Sequence, residues 1–96
     1  MSTKEKIITI LRQTLTATVV EVEDESALHV GHAGAASGGG HYRVMLVSPL
    51  FEGKSLVARH RMVYDALAAE MQHAIHALAL TTLAPSQQTS MGKNQR

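Results

Sequence analysis

The sequence predicts an α+β domain: a three-stranded sheet covered on one face by helices, in the order α-β-β-α-α-β. Three observations carry this. A helical stripe near the N-terminus gives way to alternation at Thr18. Two further alternating segments follow, at 41–48 and 75–83. Between them lies a long amphipathic stretch with helical spacing.

Ser2 with Glu5 three residues on fits a capping box, and Ile7, Ile8, Ile10, Leu11 and Leu15 form one stripe. The spacing predicts a helix over about residues 3–16. Val20 and Val22 then alternate with Glu21 and Glu23, a strand with one buried face. Residues 24–40 hold Gly31, Gly34, Gly38, Gly39 and Gly40, five of the seven glycines, and read as a long mobile loop. In the second strand Tyr42, Val44 and Leu46 share one face and Arg43, Met45 and Val47 the other. Apolar residues on both faces predict an interior or doubly covered strand.

Ser48-Pro49 ends that strand, Phe51-Glu52-Gly53 makes a turn, and Ser55 is the N-cap of the next helix. The stripe Leu56, Val63, Leu67, Met71 carries this helix to about residue 74, with a break into two pieces allowed for. Ile75 to Leu83 alternates as strand three. Residues 1–84 thus form the domain, and the Ser/Gln/Asn-rich residues 85–96 are expected to be a disordered tail.

Composition narrows the function classes. Ninety-six residues make one small domain, and nine Lys/Arg against eight Asp/Glu leave a net charge of +1. That balance argues against nucleic-acid binding by bulk charge. With no cysteine there is no disulfide, thiol nucleophile or sulfur ligand. No apolar run spans a bilayer and no signal-peptide pattern opens the chain, so the expectation is a cytoplasmic protein without membrane contact. Gly53-Lys54-Ser55 lacks the earlier glycine of a phosphate loop, Ser48 standing there instead. Gly31-His32-Ala33-Gly34 matches the G-x-x-G of KH domains, but between strands rather than helices. Catalysis by this chain is not expected.

Six histidines stand against three aromatics. His29 and His32 lie in the glycine loop, and His73 and His76 are three apart at a helix-to-strand junction. Two imidazoles are too few for a structural metal site, so a metal role needs ligands from a partner. Lys54, Arg59 and Arg61, with His60, form a basic cluster before Asp65, a candidate surface for nucleic-acid phosphates.

The segments Asp24-Glu25-Ser26, His41-Tyr42-Arg43-Val44, Val47-Ser48-Pro49-Leu50-Phe51-Glu52-Gly53-Lys54-Ser55, Arg59-His60-Arg61-Met62-Val63-Tyr64 and Ile75-His76-Ala77-Leu78-Ala79 resemble the BolA family, in order and at family-like spacing. The resemblance runs from the first helix to about residue 83. It implies a fold similar to the class II KH fold, without the G-x-x-G between helices. It further implies a monothiol glutaredoxin partner sharing a [2Fe–2S] cluster, in iron–sulfur cluster assembly or transfer or in iron sensing. The glutaredoxin cysteine and glutathione would supply sulfur, and this chain two histidines. His76 matches the C-terminal ligand. The loop ligand maps to His29, with His32 as the other candidate in a loop longer than in many relatives. No cofactor is expected in the isolated chain, which would be a monomer or weak homodimer. Imidazole in place of thiolate makes an iron–sulfur centre easier to reduce, as in Rieske centres. The alternative function is a DNA-binding transcriptional regulator using the KH-like surface with Lys54, Arg59 and Arg61.

Overall fold

The computed structural model describes residues 2–26 and 40–88. Helix α1 spans Thr3–Thr14, strand β1 Val19–Asp24 and strand β2 Gly40–Val47. A 3-10 turn at Pro49–Phe51 leads to α2 (Leu56–Ala66), α3 (Ala68–Met71) and β3 (Ile75–Leu83). The sheet order is β1-β2-β3, with β1 antiparallel and β3 parallel to β2. β2 is therefore the interior strand, as its two apolar faces predict.

The local signals form as expected. Ser2 Oγ accepts from the Glu5 N–H at 3.1 Å, while Glu5 Oε1 accepts from the Ser2 N–H at 2.9 Å. Ser55 Oγ caps α2 by accepting from the Ala58 N–H. Helix α1 stops earlier than expected because Thr16 takes φ 55°, the left-handed conformation that closes a helix C-terminus. Ser48 is buried and works in two directions: its hydroxyl donates to the Leu15 carbonyl at 2.6 Å and accepts from the Leu50 N–H at 3.0 Å. The end of β2 is thereby joined to the end of α1. The long helix does break in two, at Leu67.

One apolar core lies between the sheet and the helices, built from Ile7 and Leu11 of α1, Val20, Val22, Val44 and Leu46 of the sheet, Phe51, and Val63 and Leu67. The opposite sheet face carries Glu21, Glu23, Arg43, Ala79 and Thr81, all exposed. Two expectations need correction. Leu56 is 62% exposed, because the inward stripe of α2 is Arg59, Val63 and Leu67 at four-residue spacing, with Leu56 off it. Residues 85–88, expected to lie in the tail, form a helical turn tied to the domain, since Ser86 bonds Glu52 and Gln87 bonds Arg59; the rest of the expected tail, 89–96, lies outside the described residues.

Candidate functional site at the start of the parallel strand pair

His76 owes its position to an irregularity in β3. Gly40 pairs with Ile75 and His41 with Ala77, so β3 uses two residues where β2 uses one, and His76 is the extra residue. Such bulges re-aim side chains and gather near functional sites. Here the bulge lets Ile75 and Leu78, three residues apart, both pack on the core. His76 is left exposed on the other side.

His41 opens β2 beside it. The two rings stand with centroids 5.1 Å apart and planes inclined by 42°. The backbone around His41 is held from three directions. Its N–H donates to Ser26 Oγ at 3.1 Å, its carbonyl accepts from the Glu25 N–H at 2.7 Å, and the preceding Gly40 N–H donates to the Ala74 carbonyl at 3.0 Å. Ser26 in turn holds Asp24: hydrogen bonds from its hydroxyl and its N–H keep the Asp24 carboxyl below the usual carboxylate range. Glu25 accepts from Arg43 Nε at 3.0 Å, and that pairing raises the Arg43 pKa further. An open pocket of about 200 Å³ is lined by Glu25, His41, Tyr42, Ala77, Leu78 and Ala79.

Of the expected ligands, His76 is on the surface at this edge, while His29 and His32 lie outside the described residues. His73 sits in the turn before β3, exposed, and the ring beside His76 is that of His41. Sequence reasoning missed His41. Strand alternation places it on the face of Arg43, away from the core, but pairing it with His76 requires the parallel register and the bulge, neither of which is written locally. Among the described residues no three His, Asp or Glu side chains converge as a metal site.

The basic cluster does not survive as drawn. Arg59 is buried, at 6% exposure. Its Nε donates to the Lys54 carbonyl at 2.9 Å, and Nη1 donates to the Thr82 carbonyl at 3.2 Å and Gln87 Oε1 at 2.8 Å. The guanidinium lies 5.8 Å from the Phe51 ring centre. Arg59 thus fastens α2 to β3 and the C-terminal turn, leaving Lys54 and Arg61 as the exposed cations of the cluster.

Comparison with known proteins agrees with this architecture. Residues 11–87 match the family described as BolA-like protein. The chain is 43% identical over 82 residues to the DNA-binding transcriptional regulator BolA of Escherichia coli (strain K12), covering 85% of this chain and 75% of that protein. It is 39% identical over 82 residues to SufE-like protein 1, chloroplastic/mitochondrial, of Arabidopsis thaliana, covering 80% of this chain but 22% of that protein. The solved BolA domain of SufE1 from Arabidopsis thaliana superposes with a TM-score of 0.78 at 37% identity, over 91% of this chain and 96% of that domain. A match across all three strands and α2, joined to the same fold at this identity, settles the family: the chain belongs to the BolA-like proteins.

Proposed function

We propose that the chain is a non-enzymatic adaptor that binds a monothiol glutaredoxin and shares a [2Fe–2S] cluster with it, in cluster assembly, transfer or iron sensing. The supporting observation is His76: an exposed imidazole presented by a strand bulge, on the face the helices leave open. The donor set fits the role. A chain with no cysteine offers neutral imidazole, which ligates iron alongside a partner's thiolates. His76 would hold iron, with His29 or His32 as the second ligand. When bound, the cluster would supply an iron–sulfur centre more easily reduced than an all-thiolate one. Each imidazole must shed its proton to bind, so the shared complex weakens in acid.

The test is anaerobic reconstitution with a monothiol glutaredoxin, glutathione, iron and sulfide, followed by visible absorption and circular dichroism against glutaredoxin alone. The expected result is a new spectrum that His76→Ala removes while the far-ultraviolet spectrum stays unchanged. His29→Ala and His32→Ala, made separately, should give one large loss and one small. An unchanged glutaredoxin spectrum with no co-elution overturns the reading.

The name of the Escherichia coli relative favours a second reading, a DNA-binding regulator. On this chain it would use Lys54 and Arg61 without Arg59. Loss of duplex binding in the Lys54→Glu, Arg61→Glu double variant would support it, and undiminished binding would exclude that surface.

A further inference from the structure

We propose that the outer edge of β3 is a self-docking surface, on which a second copy of this chain adds its own β3 antiparallel to make one continuous sheet. The parallel ladder fixes which groups face outward. The Ser48 N–H donates to the Leu83 carbonyl, so from Ala77 on the odd-numbered residues of β3 bond β2. Leu78, Leu80 and Thr82 therefore turn their N–H and C=O groups away from it. Helix α2 takes up two of these carbonyls: Arg59 Nη1 donates to Thr82 at 3.2 Å and the Tyr64 hydroxyl to Leu78 at 3.4 Å. Thr82 is buried, which leaves 77–81 as the open part of the edge. Charge selects the occupant. The other edge strand, β1, carries Glu21, Glu23 and Asp24, which would stand against the same acids of a second copy. The open stretch of β3 reads Ala77-Leu78-Ala79-Leu80-Thr81, without the charge or proline that keeps edges from pairing. Its midpoint is Ala79. A two-fold axis there sets Leu78 against Leu80 of the second copy, and each such pair exchanges two N–H to C=O bonds. On the exposed face Ala79 meets Ala79, small enough for the close approach of a pair that shares no hydrogen bonds. On the core side Leu78 and Leu80, half-buried in the single chain, cover each other. So short a contact falls below the roughly 1,200 Å² of a standard interface, and the dimer is weak and forms with concentration. It needs neither His76 nor a cluster, and stands apart from the glutaredoxin reading.

The experiment is sedimentation velocity on the untagged full-length chain from about 10 µM to about 1 mM, with amide hydrogen exchange at both ends of the series. A shift from monomer to dimer is expected, with the Leu78 and Leu80 amides exchanging at least about tenfold more slowly at high concentration. Ala79→Lys sets two cations against each other across the axis, and should weaken dimerisation at least about tenfold with the far-ultraviolet spectrum unchanged. A dimer that Ala79→Lys leaves intact, or protection that rises only elsewhere, overturns the interface. A chain that stays monomeric with both amides unprotected also overturns it, and leaves this edge to an extended segment of a different protein. The wild-type exchange reading stands even if the variant folds poorly.

Discussion

Arg59 illustrates how one residue type supports two opposite readings. Beside Lys54 and Arg61 in the sequence it adds to a phosphate-binding patch; in the fold it fills a core-facing position of α2 and donates to three oxygens. Charge-assisted hydrogen bonds of this kind are strong, and removing the donor strands buried acceptors. Arg59→Met is expected to cost about 2–4 kcal/mol in urea unfolding, and Gln87→Ala about 1 kcal/mol. The pair should be non-additive, because Gln87 Oε1 is a shared acceptor. Additive costs would show that the two act separately. Asp24 allows a test with pH. Its folded pKa is depressed from 3.8 by the Ser26 hydroxyl and N–H, so its contribution is present above that value and is lost as pH falls through the lower folded value. The stability difference between wild type and Asp24→Asn should therefore be open at pH 6 and shrink below pH 3.8. A difference that is constant with pH would place the stabilisation elsewhere.

The strands and helices themselves were largely legible, for local reasons. The capping box at Ser2, the cap at Ser55 and the valine alternation in β1 are short-range signals, and each element they mark is present. What the sequence hid depends on contacts between elements. The bulge at His76 exists because β3 must align with β2, and the end of α1 is set by a threonine in a conformation that threonine disfavours. Thr16→Gly should relieve that cost and raise stability by about 0.5–1 kcal/mol, read as a higher urea midpoint. A lower midpoint would mean that Thr16 contributes more through contacts than it loses in backbone strain. Gly40 is constrained differently. A Cβ there would fall 2.5 Å from Tyr42 Cε2 and 3.0 Å from Ser26 Oγ, against a ring that is itself buried. Gly40→Ala should cost about 1–3 kcal/mol and move the His41 and His76 ring signals together, since both lie at the junction it disturbs. An unperturbed spectrum would show that the junction yields without moving the histidines.

At the scale of the whole molecule, the apolar core and the His41–His76 pair occupy opposite faces of the sheet. The helices, Phe51 and Arg59 close one face around the core, while the other carries exposed Arg43 and His76 with half-buried His41 beside them. The sequence named His76 but not its neighbour, because the partner of a strand residue is chosen by topology rather than by spacing along the chain. The same division decides between the two functional readings through salt. Counterion release gives log K a slope of about −0.9 for each phosphate neutralised. With Arg59 withdrawn into the fold, Lys54 and Arg61 supply two contacts and a slope of about −1.8. Raising salt from about 50 to 200 mM should then weaken any duplex complex formed by this surface about 12-fold. Fluorescence anisotropy with a short duplex measures this directly. A slope near −5 would require cations well beyond this patch and would restore DNA as the principal partner. A shallow slope with weak binding, beside a glutaredoxin complex lost in His76→Ala, would assign recognition to the histidine edge of the sheet.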